Sequence, residues 1–378
     1  MITNTLVGLT MESVMLWTLV LSLGVQVWFY LVYFGKLTLH KSIKAKSAAL
    51  LPVSIIICAR NEKENLLSNL PLVLQQTYKE YEVIVVNDCS TDESDEVLES
   101  ICSKFSHLRV VTVEASSAHE HGKKHALTVG VNAANHEQLL FTDADCKPNS
   151  NDWLRNMTQH FNDKTEIVLG YGAYEKQKGL LNKIIRFDTF LIALQYLSFS
   201  LSGKTYMGVG RNLAYKKSLF LKNKGFASHE HLASGDDDLF IGEAATKHNC
   251  SIETNSDSFT ISKVKTTLTD WLMQKKRHVS TFSSYSLPIK MRLGLISLSH
   301  VLFFVSLMVL LVMQVKIELL LLLVAGRVLM QFIVFVKPMT YLKENDLILL
   351  FPFIEIALLL IYPFIIASQL ADKKVSWK

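Results

Sequence analysis

Hydrophobic and polar positions divide this chain into blocks of two kinds. Ser13 to Gly35 carries no charge, beginning after Glu12 and ending at Lys36. At ~1.5 Å rise per residue it can cross ~30 Å of hydrocarbon, so a transmembrane helix is expected over 13–35. A cleaved leader is disfavoured, because no basic residue precedes the apolar stretch. Toward the C-terminus, Leu293 to Val315 is a second uncharged block. Leu319 to Val336 is a third, interrupted by Arg327, and Leu347 to Ala371 a fourth, interrupted by Glu355. Four spans are expected, three of them in a C-terminal membrane region over 293–371.

Between the blocks, about residues 51–287, the pattern becomes that of a globular unit. Val53 to Cys58 is a short β-branched run, as expected of a strand buried on both faces. After the polar turn Ala59-Arg60-Asn61-Glu62, apolar residues recur at helical spacing from Leu66 to Leu74, and Glu82 to Asn87 supplies the next strand. Helices are expected over Thr91–Phe105 and Lys123–Ala134, and strands over Arg109–Val113 and Gln138–Thr142. Such alternation predicts an α/β fold with a mostly parallel sheet flanked by helices.

Charge adds a topology. Lys36, Lys41, Lys44 and Lys46 follow the first span, which puts the globular unit in the cytoplasm and the N-terminus outside. Four spans then leave Lys373, Lys374 and Lys378 outside, against the same rule, unless one C-terminal segment is re-entrant or interfacial. Arg327 and Glu355 are costly in lipid and are expected to face the bundle interior, as an ion pair or as a site for a lipid phosphate. The chain is 49% hydrophobic with a net charge of +5, and attraction of the juxtamembrane lysines to anionic lipid accounts for much of that charge. Without a basic stripe interleaved with aromatics, nucleic acid is not an expected partner. Five scattered cysteines lacking a C-x-x-C spacing fit a reduced compartment and no zinc site.

The chemistry gathers after the strands. Arg60 and Glu62 follow the first, Asp88 and Asp92 the second, and Asp143 and Asp145 a later one. In parallel α/β sheets ligands bind at these carboxyl ends. Asp143-Ala144-Asp145 places two carboxylates on one side of an extended backbone, suited to a hard cation and the phosphate oxygens it carries. No G-x-G-x-x-G follows the first strand, which disfavours a dinucleotide.

Taken in order, these motifs resemble family 2 glycosyltransferases of the GT-A fold. The resemblance is closer to the membrane-bound branch that includes cellulose, chitin and hyaluronan synthases and ceramide glucosyltransferase. It covers about Val53 to Ser280. It implies that Ala59, Arg60 and Glu62 form the nucleotide-binding turn and that Asp88, in Val85-Val86-Asn87-Asp88-Cys89-Ser90-Thr91-Asp92, contacts the nucleoside. Gly122-Lys123-Lys124-His125-Ala126-Leu127 is similar to the family's G-K-x-x-A-L, which makes Lys123 a diphosphate or base contact. Asp143 and Asp145 then match the D-x-D that binds Mg²⁺ or Mn²⁺ and, with it, the donor diphosphate.

On the acceptor side the resemblance implies Gly210, Arg211 and Asn212. Ser234-Gly235-Asp236-Asp237-Asp238-Leu239 resembles the segment supplying the general base. A T-E-D-x-D-L frame puts the base at Asp236 and a G-D-D or E-D-hydrophobic frame at Asp237. The second is slightly favoured because an acid then precedes the base and apolar residues follow. Gln274-Lys275-Lys276-Arg277-His278 is similar to Q-x-x-R-W on an interfacial helix near 264–282. There Gln274 and Arg277 would reach the donor diphosphate, and His278 replaces the aromatic that meets the acceptor sugar.

The implied protein is an inverting, metal-dependent glycosyltransferase, multi-pass in the cell membrane. It would move sugar from a nucleotide-diphosphate sugar to a lipid or glycan acceptor. A processive polysaccharide synthase is the alternative, and a non-catalytic nucleotide-sugar-binding membrane subunit a more distant one.

Overall fold

The computed structural model describes residues 10–41, 50–114 and 122–371; Lys44, Lys46, Lys373, Lys374 and Lys378 lie outside them. The chain enters through α1 (Met11–Phe29), which passes through a π-helical turn at Tyr30–Phe34 into α2 (Gly35–Leu39). The globular unit opens with β1 (Val53–Ala59), α3 (Lys63–Val73), β2 (Tyr81–Asp88), α4 (Ser94–Cys102), β3 (Leu108–Val113), α5 (Lys123–Ala133) and β4 (Gln138–Asp143). It continues with β5 (Cys146–Pro148), α6 (Trp153–Thr158), β6 (Ile167–Leu169), β7 (Gly172–Tyr174), α7 (Leu180–Leu201), β8 (Leu213–Lys216) and α8 (Lys217–Lys222). Next come α9 (Asp238–Ala244), β9 (Cys250–Ile252), β10 (Thr260–Ser262) and α10 (Leu268–Ser280). Three long helices follow, α11 (Leu287–Val312), α12 (Ile317–Tyr341) and α13 (Phe351–Ala371).

Seven strands form one sheet in the order β3-β2-β1-β4-β8-β6-β9. β1 to β4 are mutually parallel where they pair, and β8 runs antiparallel between β4 and β6. The sheet is therefore mixed and mostly parallel. All seven residues of β1 are buried, as its unbroken apolar run predicts. Ile56 and Cys58 face the α5 side, while Ile55, Ile57 and Ala59 pack with the core beneath α3, α4 and α6. At Gly130 of α5 an added Cβ would lie 2.7 Å from Ile56 and 3.1 Å from Val86, so a hydrogen there lets the helix approach the sheet closely.

Since β1 pairs with β2 on one side and β4 on the other, the chain reverses direction across the sheet at β1. That is the crevice where doubly wound sheets hold ligands. A three-stranded sheet, β5-β10-β7, stands beside it.

Among the described residues, five helices are long and apolar enough to cross a membrane: residues 11–39, α7, α11, α12 and α13. The sequence pattern anticipates four. α7 escapes it because Lys183, Arg186 and Asp188 interrupt the apolar run, and 67% of its most apolar window is buried inside the protein. Arg186 reaches Glu344 and Asp346 in the α12–α13 connection, with Nε–Oε2 at 2.9 Å and Nη1–Oδ2 at 2.8 Å.

α11 packs along α1, and α13 rests against α7 and α10. Arg327 and Glu355 meet as an ion pair at 2.6 and 3.0 Å, the first of the two expected arrangements. Gln26 and Gln331 complete the pair. α12 is also tied back to the first helix, Thr38 donating to the Val334 carbonyl and Tyr341 to the Leu37 carbonyl.

Candidate active site

Two loops frame the crevice, one after β1 and one after β2. Each carries a non-glycine residue in the left-handed region, Asn61 at φ 54° and Cys89 at φ 53°. The loops are stitched together: the Asn61 amide donates to Ser90 Oγ at 2.9 Å, and the Thr91 amide to Asn61 Oδ1 at 2.8 Å. Such cross-bonds hold conformations that cost roughly 1 kcal/mol or more, a feature common at ligand sites.

Ala59 is the buried last residue of β1, and Arg60 and Glu62 stand on the loop that follows. Asp88 is fully buried at the end of β2. Its Oδ2 has no hydrogen-bond partner among the described residues, while Oδ1 accepts only the Cys89 thiol at 3.5 Å. A buried carboxylate oxygen left open is costly unless a ligand donor reaches it. Asp92 is placed differently, accepting from the Lys63 amide and from Ser94, and acts as a local cap.

β4 ends at Asp143, level with Cys58 of β1. Asp145 does not continue that strand, contrary to the expected alternation; it lies in the turn leading to β5. The chain turns at Ala144 and Asp145, yet the two acids still converge. One donor atom each from Asp143, Asp145 and Cys146 lies within 4.8 Å of the others. Burial raises the affinity of Asp145 for its proton, and the Asp143 charge adds to that effect. Burial also opposes ionisation of Asp143, but Lys123, then Arg211 and Arg277, outweigh it and hold that carboxyl below its usual range. Two carboxylates forced together suit Mg²⁺ or Mn²⁺, which take hard oxygen donors. Cys146 is a poor third ligand, because burial and the neighbouring acids keep its thiol protonated.

Lys123, first residue of α5, lies at the centre of the acids. Its Nζ is 3.0 Å from Asp143 Oδ1 and 3.0 Å from Asp236 Oδ2. The three consecutive acids point three ways. Asp236 faces Lys123. Asp237 accepts the Gly210 amide at 2.7 Å and the Asp238 amide at 2.8 Å. Burial, then the charges of Asp236 and Asp238, push Asp237 up to about 7. Asp238 turns away and accepts from Thr281 and, at 2.7 Å, from Tyr285, in the segment between α10 and α11.

Gly210 and Arg211 reach the site, Gly210 through its amide. Arg211 is held by the Gly172 carbonyl at 2.9 Å and by Ser262, with its guanidinium 4.4 Å from the Tyr174 ring centroid. Asn212 differs from the expectation of an acceptor contact. It is fully buried, its amide donates to the Tyr171 and Ser258 carbonyls, and its oxygen accepts from the Trp153 indole. With its hydrogen-bonding capacity committed inside the fold, it shapes the segment without facing a ligand.

On α10, Gln274 donates to the Tyr174 hydroxyl at 3.2 Å, Arg277 is half-buried, and His278 is exposed. The helix is anchored by residues that no motif marks. Lys275 is buried against Asp188 of α7 at 2.7 Å, and Asp188 also accepts from Tyr362 of α13 at 2.6 Å. Lys124 likewise lies buried and donates to the His229 and Leu232 carbonyls, fixing the loop before the three acids. A lysine beside a known motif looks solvated in sequence; only its buried neighbours reveal the role.

A second cavity of about 420 Å³ lies against the small sheet. Lys147, Ile261 and Ala173 share one register row and line that cavity together with Tyr174, whose ring also meets Arg211.

With this geometry in place, comparison with known proteins is consistent. The family model described as Glycosyl transferase family 2 matches residues 54–223, and that described as Glycosyl transferase family group 2 matches residues 143–366, more than half of the chain. A poly-beta-1,6-N-acetyl-D-glucosamine synthase of Staphylococcus epidermidis is 28% identical over 187 residues, 49% of this chain and 44% of that protein. The 4,4'-diaponeurosporenoate glycosyltransferase of Staphylococcus aureus is 32% identical over 130 residues, 34% of this chain and 30% of that protein. The chain thus spans less than half the length of these curated relatives. A mannosyltransferase from Pyrobaculum calidifontis, solved with GDP-Man and Mn²⁺, superposes with a TM-score of 0.58 at 17% identity, covering 90% of this chain and 97% of that one. That likeness establishes the fold, an α/β GT-A architecture.

Proposed function

The chain belongs to glycosyl transferase family group 2, and on that footing we propose an inverting transfer of sugar from a nucleotide-diphosphate sugar to a lipid or lipid-linked acceptor. The reaction takes place at the cytoplasmic face of the membrane, the side that Lys36 and Lys41 after the first span favour for the globular unit.

One observation carries the reading: the run Asp236–Asp238 reaches both ways. Asp236 joins Lys123 and, through it, Asp143; Asp238 joins Thr281 and Tyr285, just before α11. The proton acceptor therefore stands between the donor crevice and a helix apolar enough to span a membrane.

Asp237 takes the acceptor hydroxyl proton onto its carboxylate. A base titrating near neutrality suits that task, and the Gly210 amide fixes its orientation. The hydroxyl oxygen attacks the anomeric carbon opposite the departing diphosphate, so configuration inverts. Asp88 Oδ2 accepts from the nucleoside, while Lys123, Arg277 and Gln274 meet the diphosphate. Gly210, Arg211 and His278 border the acceptor. Asp143 and Asp145 would hold Mg²⁺ or Mn²⁺, which when bound would supply charge neutralisation at the leaving diphosphate.

Gln274 and Arg277, one turn apart on α10, also favour a second reading, processive synthesis of a polysaccharide. Purified protein in nanodiscs, supplied with membrane lipids, Mn²⁺ and a panel of UDP- and GDP-sugars, tests both. A single organic-extractable glycolipid is expected; a ladder of products selects the polymer synthase. Absence of nucleotide release with every donor contradicts catalysis altogether.

A further inference from the structure

Lys123 occupies the place where a cation would be most welcome. Its ammonium bridges one carboxylate of the metal pair and one of the base segment at equal distances of 3.0 Å, and its side chain is 19% exposed. The space left in this pocket, lined by Lys123, Asp143, Gly210, Asp236 and Asp237, is about 10 Å³. That is barely one water. Mg²⁺ and Mn²⁺ need several oxygen ligands near 2.1 Å and keep part of their hydration shell. That space does not extend to Asp145; what a divalent ion meets at Asp143 while Lys123 stays put is a like charge already bonded to one of that carboxylate's oxygens.

We propose that Lys123 is a resident counter-ion that keeps the divalent cation out of the Asp143–Asp145 site until a nucleotide diphosphate arrives. The inference rests on the reading of Asp143 and Asp145 as the metal pair. A diphosphate gives the ammonium a new anionic partner, and the flexible four-carbon stem of lysine lets it swing across without moving α5. Asp143 is then free for the metal, and Asp236 and Asp237 are relieved of the ammonium before the base must act. Metal and nucleotide bind as a coupled pair, each raising the affinity for the other. A lysine that merely touched phosphate would not do this, because it would leave the affinity for metal alone untouched.

Mn²⁺ binding followed by electron paramagnetic resonance separates the cases. The proteins are wild type, Lys123→Met, Lys123→Gln, Arg277→Gln and Asp145→Ala in nanodiscs, with and without UDP or GDP. Without nucleotide, Lys123→Met is expected to bind Mn²⁺ roughly ten- to a hundredfold more tightly than wild type. Lys123→Gln, whose amide still donates to the same carboxylates, should show the same gain if methionine impairs folding. Arg277→Gln, which removes a nearby charge without vacating the pocket, should shift affinity by about threefold or less. Asp145→Ala should bind no Mn²⁺ under any condition.

If nucleotide still recruits Mn²⁺ in wild type but neither Lys123 variant gains affinity without it, the counter-ion role is wrong and the metal site stands. An Arg277→Gln gain equal to that of Lys123→Met overturns it too, reducing the effect to the general field. Failure of wild type to bind Mn²⁺ even with nucleotide removes the metal-pair reading and this inference together.

Discussion

The long apolar helices and the sheet each bury a cluster of charge, and the two are finished differently. Around Arg327 everything is answered: its guanidinium bonds Gln26, Gln331 and both oxygens of Glu355, and Gln331 in turn donates to Glu355 and Tyr30. At the ends of β1, β2 and β4 one ammonium, Lys123, is bonded among the acids, with the charges of Arg211 and Arg277 acting on Asp143. Asp88 keeps an open oxygen, and burial with neighbouring acidic charge raises the proton affinity of both Asp145 and Asp237. A saturated ionic cluster fixes geometry and has no capacity left to bind. An under-neutralised one stores a demand for cations and donors that a ligand can meet.

Substitutions can break that contrast, beginning with Asp145→Ala. It should lower transfer by about 10³-fold or more and abolish Mn²⁺-dependent nucleotide binding, read by product assay and calorimetry, because the ligand-meeting charge is gone. Its melting temperature should hold or rise, since a repelled buried acid has been removed. Asp237→Asn should cost about 10²- to 10⁴-fold in kcat with nucleotide affinity unchanged, as expected for loss of a base. An equal loss in Asp236→Asn with an active Asp237→Asn would move the base by one residue.

The saturated cluster should answer in stability. Arg327→Leu leaves Glu355 unpaired and is expected to cost about 3–5 kcal/mol in detergent unfolding, whereas Arg327→Leu with Glu355→Leu should recover most of it. A double variant as unstable as the single one would show that the pair does more than hold helices together.

Smaller effects sharpen the picture. Asp237 must be ionised to accept a proton, and its pKa is raised to about 7. kcat/KM, which reports the unliganded enzyme, should therefore fall about tenfold per unit as pH drops below that value and level off above it, and Asp237→Glu should shift the break. Asp238→Asn, weakening the bonds to Thr281 and Tyr285, should reduce transfer only about three- to tenfold, seen mainly in KM for the acceptor.

The legible parts of the site are those where chemistry follows chain order. Asp88, Asp143 and Lys123 sit beside apolar runs whose period announces a strand end or a helix start, so their shared location follows from the sequence pattern. Asp145 is legible in role but not in geometry, because a turn does what strand alternation is expected to do. Asn212 runs against its expected place at the acceptor: an amide in a polar motif looks available until the carbonyls of Tyr171 and Ser258 are placed around it. Asp188, Lys124 and Lys275 leave no local signal at all, since each is explained by a partner far away in sequence.

The pattern along the chain determined β1 to β4, the helices between them and four of the apolar blocks long enough for a membrane, because period and length are local properties. Tertiary structure alone decided which charges are neutralised and which are left open. It paired Arg327 with Glu355, buried α7 despite its span-like length, and gathered Asp143, Asp236 and Asp237 around Lys123. Those outcomes depend on distances between residues far apart in the chain, and the energy of a buried charge is set by whatever lies within a few ångströms of it.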